Sequence, residues 1–259
     1  VLLGPNGSGK STLLSLLLGY LTPQAGSIEI LGRPLHSYHR HELGRTVAFV
    51  SPATQLPFNY SVFDYCLLGR AARMPSWGQP GGKDFAAAEA AISRAGIGHL
   101  AGRNVQELSS GELQLVSIAR GLAQEPEILL MDEPTSHLDP AHALEVFRLI
   151  SALTAGGLTV LFTTHDPLHA RQVADQAVLL RSGKLLLTAS AQEALTPENL
   201  KTLYGVAFLE AQKVPDRPEI IAVMQPARRP DAGKYDLTSF GHKRTSDEDR
   251  PYAQSMRER

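Results

Sequence analysis

The chain has 259 residues, with 25 Lys and Arg against 26 Asp and Glu, so its formal net charge at pH 7 is −1. This balance argues against binding of nucleic acid through a broad basic face and leaves only a local basic patch open. The single cysteine, Cys66, excludes an intrachain disulfide and fits a reducing compartment. Because no apolar run approaches the roughly 18 residues of a membrane span, and no signal-peptide pattern opens the chain, we exclude an integral membrane protein, a secreted disulfide scaffold and a disordered chain.

The predicted elements begin with an apolar strand at 1–3, which runs into a glycine-rich turn at 4–12. Since the chain starts inside this strand and without a methionine, we expect a fragment whose first strands are missing. An apolar helical pattern follows from Ser11 to about Leu18. The next predicted elements are a half-exposed strand at 27–31, a strand at 46–50, a helix at 61–69, a loop at 74–83, a helix capped by Asp84 that ends near Ala95, and a helix from Ser110 to about Gln124.

The second half of the chain alternates short apolar strands with helices, which is typical of βαβ units and predicts an α/β fold with a mostly parallel sheet. From about residue 226 the composition turns polar, so we predict a disordered tail at 226–259 after a C-terminal extension at 207–225. The predicted elements of this half are strands at 128–131, 159–163 and 177–180, helices at 141–153 and 167–173, a hairpin at 181–184, and two short helices that end near Tyr204.

The turn after the first strand fits the phosphate-binding pattern G-x-x-x-x-G-K-[ST] between a strand and a helix. Its glycines let backbone N–H groups converge on a phosphate at a helix N-terminus, where the helix dipole favours an anion. Lys10 is expected to reach the β- and γ-phosphates, and Ser11 to bind Mg²⁺. The alternative is a chance glycine-rich turn. The predicted nucleotide-binding residues of the loop are Asn6, Gly7, Ser8, Gly9, Lys10, Ser11 and Thr12.

Two acidic residues, Asp132 and Glu133, follow the predicted strand at 128–131. Asp132 lies at the carboxyl end of the strand, where ligands bind in open α/β sheets, and is expected to hold Mg²⁺ through water. Glu133 can polarise the water that attacks the γ-phosphate. Two acids at this place could also simply cap the next helix, and the phosphate loop favours the catalytic interpretation.

Three further segments resemble motifs of the ABC ATPases. Segment 108–114 reads Leu-Ser-Ser-Gly-Glu-Leu-Gln and resembles the signature Leu-Ser-Gly-Gly-Gln. Segment 136–139 is similar to the D-loop of that family, and segment 164–166 to its switch-histidine loop. The order and spacing of the motifs match the family over roughly residues 1–206. The site residues that the resemblance adds are Ser109, Ser110, Gly111, Glu112, Asp139 and His165.

The resemblance implies a fold, an activity and an assembly. The fold is a P-loop NTPase with a RecA-like, mostly parallel sheet and an inserted α-helical signature subdomain at about 61–124. The activity is hydrolysis of ATP with Mg²⁺. Two copies pair head to tail, so that the Ser109 hydroxyl and Gly111 N–H of one copy contact the γ-phosphate on the phosphate loop of the other. His165 holds the γ-phosphate and the attacking water, and Glu133 and His165 are the catalytic pair.

Finer features at 35–45, 67–70, 134–139 and 195–206 resemble the importers for iron–siderophore, haem, cobalamin and, in some members, molybdate. This implies an ATPase homodimer docked under two transmembrane permease subunits at the cytoplasmic face of the inner membrane. A substrate-binding protein would act indirectly, and nucleic acid would have no role. The alternatives are a non-transport ABC ATPase and a weakly active nucleotide-binding regulatory module.

Three departures from the family pattern accompany the resemblance. Ser110 and Glu112 replace a glycine and a glutamine of the signature, which we expect to be benign. Pro52 stands where the family carries its Q-loop glutamine, and Gln55, three residues on, is not expected to reach the site. The segment with the adenine-stacking aromatic would precede Val1.

Two other features have a structural and a functional interpretation. The histidines His36, His39 and His41 could form a metal site, but a solvated loop is the favoured interpretation. Cys66 lies in an apolar helical pattern, so we predict that it packs in the core.

Overall fold

The structure, a computed structural model, describes residues 1–52, 59–75 and 77–208. The prediction for Gln55, the predicted disordered tail at 226–259 and all but the first two residues of the extension at 207–225 lie outside the described residues. None of the helices at 1–52, 59–75 and 77–208 combines the length and the hydropathy of a transmembrane segment.

A six-stranded sheet forms the centre of the fold, in the spatial order β4-β5-β6-β1-β7-β8. Neighbouring strands run parallel except for β8, which pairs antiparallel to β7. The mostly parallel sheet predicted from the alternating pattern is therefore confirmed. The strands are β1 (Leu2–Leu3), β4 (Val47–Val50), β5 (Ile128–Met131), β6 (Thr159–Thr164), β7 (Gln176–Arg181) and β8 (Lys184–Ser190), and a separate two-stranded hairpin consists of β2 (Glu29–Ile30) and β3 (Arg33–Pro34).

Helices pack against both faces of the sheet. Alternate residues of β5 divide between the two faces: Leu129 and Met131 belong to the larger core with α5 and α6, whereas Leu130 packs with Leu14 of α1. This alternation follows from the two-residue period of a strand. The helices are α1 (Lys10–Leu17), α2 (Arg40–Thr46), α3 (Val62–Leu67), α4 (Gly82–Arg94), α5 (Ser110–Ala123), α6 (Pro140–Ala155), α7 (Pro167–Val173), α8 (Ala191–Ala194) and α9 (Pro197–Tyr204).

Helices α3, α4 and α5 lie between β4 and β5 in the chain and form the inserted helical part of the fold. Arg70 fixes their arrangement from a nearly buried position, 6% exposed. Its guanidinium donates to Asp84 at 3.0 Å, to Glu125 at 2.7 Å and to the Ala123 carbonyl at 2.7 Å. Cys66 on α3 is fully buried, and its burial raises the pKa of the thiol to about 12, so the predicted core position is confirmed.

Several local predictions were wrong. The strand expected at 27–31 is only Glu29–Ile30, because it pairs with its own hairpin partner and not with the main sheet. Asp84 is not the N-cap of α4 but the third residue of the helix. The N-cap is Gly81, whose N–H donates to the Asp84 carboxylate at 3.0 Å.

We predicted that the three histidines at 36–41 lie in one solvated loop. All three are exposed, as expected, but the segment is not a single loop. His36 belongs to a 3₁₀ turn at Leu35–Ser37, His39 is the N-cap of α2, and His41 lies within that helix. The described residues contain no group of three His, Cys, Asp or Glu side chains that could hold a metal ion. The apolar residues of the segment, such as Leu43, pack under α1, which explains why it folds into a helix.

Candidate active site

The phosphate-binding loop connects β1 to α1, as predicted. Gly7 and Gly9 have φ values of 76° and 103°, which favour glycine because a Cβ would be strained there. Gly4 is required for another reason: a Cβ on it would lie 2.2 Å from the Leu180 carbonyl oxygen and 2.6 Å from the Ser8 hydroxyl. The loop therefore turns tightly over the end of β7 before α1 begins at Lys10.

Lys10 is 6% exposed, and its ammonium lies within the loop. The Nζ atom donates to the carbonyl oxygens of Gly4 at 2.9 Å and Pro5 at 3.3 Å, and lies 3.5 Å from Oε1 of Glu133. These contacts hold a positive charge between the loop and the predicted catalytic carboxylate. A phosphate bound over the loop would meet this charge.

The Ser8 hydroxyl is another feature of the loop that fits an anionic ligand. It belongs to a residue that is 2% exposed, and it has no hydrogen-bond partner in the described part of the chain. A buried hydroxyl without a partner is costly. An oxygen-rich ligand in the loop would provide an acceptor, so this residue supports phosphate binding.

Ser11 joins the acid pair to the phosphate loop, and Thr163 on β6 joins the two acids to each other. Oδ2 of Asp132 accepts from the Ser11 hydroxyl at 2.9 Å, and Oδ1 accepts from the Thr163 hydroxyl at 2.6 Å. The same threonine oxygen accepts from the Glu133 N–H at 2.8 Å. Because Glu133 has a φ of 45°, which is unfavourable for a residue with a Cβ, this hydrogen bond helps to hold its backbone. Thr163 was not predicted as a site residue, because it belongs to no recognisable sequence motif.

The residues predicted for Mg²⁺ are consistent with that ion. Ser11 and Asp132 bring a hydroxyl and a carboxylate within 2.9 Å of each other at the start of α1. Mg²⁺ prefers such oxygen ligands and usually completes its shell with water and substrate phosphates.

His165 follows β6 and lies beside Glu133, with Nδ1 3.2 Å from Oε2 of the carboxylate. Glu133 therefore lies between the ammonium of Lys10 and the imidazole of His165. These side chains border two adjoining cavities. The larger, of about 450 Å³, is lined by the phosphate loop and the acid pair, and the other, of about 400 Å³, includes Asn6 and His165.

Pro52 lines the larger cavity, together with Asp132 and Glu133. Its side chain has no donor or acceptor and its nitrogen carries no hydrogen, so it cannot supply the polar contact of a glutamine. The expectation that Gln55 does not reach the site stays a prediction, because Gln55 lies outside the described residues.

The signature residues do not line either cavity of their own chain. Ser109 caps α5: its hydroxyl accepts from the Glu112 N–H at 3.2 Å, while the Ser109 N–H donates to the Glu112 carboxylate at 2.8 Å. The backbone hydrogen bond from Ser109 is the main reason why the pKa of Glu112 is lowered. Glu112, which stands in place of glutamine, thus completes a capping box with Ser109. This role of Glu112 does not depend on a second copy of the chain.

Asp139 caps α6 and connects to the signature helix through His142, a residue that the sequence analysis missed. Its carboxylate accepts from the Ala141 and His142 N–H groups at 2.9 and 3.0 Å and contacts the His142 ring at 2.6 Å. A Cβ on Gly111 would lie 2.1 Å from that ring. The glycine of the signature therefore allows the starts of α5 and α6 to meet.

The Asp139–His142 pair predicts a pH-dependent stability. Hydrogen bonding to the backbone and ring of His142 lowers the pKa of Asp139, and the hydrogen bond to Asp139 raises the pKa of His142. The lowered carboxyl pKa stabilises the fold above about pH 4, and the raised imidazole pKa stabilises it below about pH 6.5. The second contribution is lost as the pH rises through the folded-state pKa of His142.

We therefore expect His142→Gln to lower the melting temperature more at about pH 6 than at about pH 9, since only the protonated imidazole adds a charge to the pair. Thermal unfolding at both pH values measures this difference. The exposed His36 provides the matched control, His36→Gln. An equal loss at both pH values for His142→Gln would show that the charge of His142 adds nothing.

The fold and the site define a phosphate-loop nucleoside triphosphatase, with a mostly parallel sheet and an inserted helical part. A family profile described as ABC transporter matches residues 1–136. The chain belongs to this family, and it is an ATP-binding subunit with ATPase activity. Proteins of the family work together with transmembrane permease components.

The chain is similar to relatives that are described as import proteins. It is 39% identical to the hemin import ATP-binding protein HmuV of Pseudomonas putida, over 83% of this chain and 84% of the relative. It is 36% identical to the molybdate import ATP-binding protein MolC of Haemophilus influenzae, over 81% and 78%. Among solved structures, one described as a metal-chelate type ABC transporter in an inward-facing conformation has a TM-score of 0.76 and 34% identity, and covers 88% of this chain and 85% of that one.

Proposed function

We propose that this chain is the ATP-hydrolysing subunit of an importer for a metal complex, in the class of iron–siderophore, haem, cobalamin or molybdate. The observation that carries the hydrolytic part is the position of Glu133 between Lys10 and His165. The similarity to import proteins for hemin and molybdate supports the substrate class. The metal complex itself is the cargo and would not touch this subunit.

In the proposed reaction, the phosphate loop and Lys10 hold the β- and γ-phosphates of ATP. Ser11 and Asp132 would hold Mg²⁺, which neutralises phosphate charge when bound. Glu133 polarises a water molecule and takes its proton as the water oxygen attacks the γ-phosphorus. The bond from the γ-phosphorus to the β–γ bridging oxygen breaks, and ADP leaves. The His165 ring, 3.2 Å from Glu133, holds the γ-phosphate and the water in line.

A second copy of the chain would complete the site. The capping box leaves the remaining backbone N–H groups at the start of α5 free to meet an anion. Since the signature residues do not line the cavities of their own chain, they would serve the phosphate loop of a partner copy. Asp139 and His142 adjoin the signature at Gly111, so the same face would include the D-loop.

The permease subunits would dock at a groove of about 990 Å³ on another side of the fold. The groove lies between the end of α1, the segment around α2, and the helical part near Arg120. Its rim exposes large apolar side chains, Tyr20 at 69% and Leu21 at 47%. An exposed apolar groove of this kind favours a protein partner. Docking there would place the subunit peripherally at the cytoplasmic face of the membrane.

Reconstitution tests the proposed function. The chain is combined in liposomes with the permease subunits whose genes neighbour its own, and uptake of labelled ferric siderophore, haem, cobalamin and molybdate is measured with ATP. We expect ATP-dependent accumulation of one of these, and none with Glu133→Gln. If ATP is hydrolysed but none of these four substrates accumulates, the ATPase activity stands and the proposed import function is refuted.

A further inference from the structure

The C-terminal helix of the described chain makes a polar contact with the switch-histidine loop. Tyr204, the last residue of α9, donates a hydrogen bond from Oη to the backbone carbonyl oxygen of His165 at 2.7 Å. The two residues are 39 positions apart in sequence, and segment 195–206 was assigned no function beyond its family resemblance. The structure thus places a side chain of unassigned function directly on the loop that carries a proposed catalytic residue.

Helix α9 is itself firmly anchored. Thr196 caps its start by accepting from the Asn199 N–H at 3.3 Å, and Arg181 at the end of β7 donates to the Thr202 carbonyl. Leu203 is fully buried, and the ring of Phe208 packs at 5.8 Å from the ring of Tyr204. The Tyr204 hydroxyl is therefore presented from a fixed position.

The His165 loop has separate supports on either side of the histidine. Its backbone continues into α7, which Asp166 caps by accepting from the Leu168 N–H at 2.8 Å, while the Asp166 N–H donates to the Thr164 hydroxyl at 3.0 Å. The His165 side chain is 54% exposed and contacts Glu133. Between these supports, the hydrogen bond from Tyr204 fixes the peptide group of His165 itself.

The Tyr204 hydroxyl remains a donor at physiological pH. Its burial, followed by the negative charges of Asp166 and Glu133, raises the pKa of the phenol above its usual range. A phenolate could not donate to a carbonyl oxygen, so this environment preserves the contact.

We propose that Tyr204 is a positioning residue for ATP hydrolysis, which holds the His165 backbone so that the imidazole stays aligned with Glu133 and the γ-phosphate. This proposal rests on the proposed role of His165. Tyr204 does not line the cavity at the phosphate loop. Its loss should therefore change the chemical step and leave ATP binding intact.

The first test is Tyr204→Phe, which keeps the ring and removes only the hydroxyl. We expect kcat to fall about tenfold, because small misplacements of a catalytic group are costly, while the KM for ATP stays within about twofold. Thr202→Val is the matched control: it removes another hydroxyl of α9, one that donates to the Glu198 carbonyl at 3.0 Å, and should leave kcat unchanged. Parental kcat in Tyr204→Phe would overturn the proposal.

A double-mutant cycle distinguishes action through His165 from a general effect on stability. Single-turnover cleavage of γ-labelled ATP is measured for His165→Ala with and without Tyr204→Phe. We expect the second substitution to add nothing when the imidazole is absent. An equal further loss in the His165→Ala background would overturn positioning through His165. Parental turnover in His165→Ala alone would instead refute the proposed catalytic role of His165, so the two failures can be told apart.

Hydrogen–deuterium exchange keeps the test decisive if Tyr204→Phe unfolds locally. In Tyr204→Phe we expect faster exchange of the backbone amides in the segment at 160–169 and parental exchange in the phosphate loop. Faster exchange confined to α9 would show that Tyr204 only stabilises its own helix, and would overturn the proposal.

Discussion

Lys10→Ala is expected to abolish ATP binding. The ammonium lies 2.9 Å from the Gly4 carbonyl and 3.5 Å from Glu133, where it would neutralise both the nucleotide phosphates and that carboxylate. Without it, Glu133 would repel the γ-phosphate. Charge-assisted hydrogen bonds are worth about 1.5–3 kcal/mol each. Loss of two such bonds from Lys10 to the nucleotide phosphates therefore predicts that the affinity for ATP falls at least about a hundredfold. Titration calorimetry with ATP and Mg²⁺ measures the dissociation constant directly.

The control for this variant is Lys83→Ala, which removes an exposed lysine from α4 and should bind ATP like the parent. Comparable melting temperatures of the two variants would show that the fold is intact. Parental affinity in Lys10→Ala would refute the assignment of Lys10 to the phosphates.

Glu133→Gln is expected to retain ATP binding and to stop turnover. The amide has nearly the same shape and keeps an oxygen that can face Lys10, but it cannot take the proton of the attacking water. A thousandfold loss of kcat corresponds to about 4 kcal/mol of transition-state stabilisation. Phosphate release measures kcat, and calorimetry measures ATP affinity. Because a negative charge beside the γ-phosphate is removed, affinity should be equal to that of the parent or tighter.

Glu89→Gln, at an exposed position of α4, is the matched control and should hydrolyse ATP at the parental rate. If Glu133→Gln also retained the parental rate, another group would have to activate the water, and Glu133 would lose the proposed role.

The parts of the site that could be predicted from the sequence are those formed by one continuous segment of the chain. The phosphate loop is one continuous segment between a strand and a helix, and the acid pair ends an apolar strand. Their contact, through Ser11 and Asp132, follows from the parallel sheet, which brings the carboxyl ends of β1 and β5 to one edge.

The residues that the sequence did not reveal act through contacts between distant segments. Thr163 meets the acid pair from a neighbouring strand, His142 meets Gly111 across two helix starts, and Tyr204 reaches His165 from a third element. A buried threonine, a half-buried histidine and a tyrosine near a helix end have many ordinary structural roles, so no local pattern marks them. Helix α2 was missed because its polar residues gave it the pattern of a loop.

The proposed mechanism requires that two copies of the chain enclose ATP. Sedimentation velocity of the Glu133→Gln protein, with and without ATP and Mg²⁺, tests this most directly, because the variant should bind ATP without consuming it. We predict a monomer without nucleotide, a dimer at saturating ATP, and a monomer in both conditions when Lys10→Ala is added. A Glu133→Gln protein that remains monomeric at saturating ATP, or that forms the same dimer without ATP, would contradict the proposed composite site.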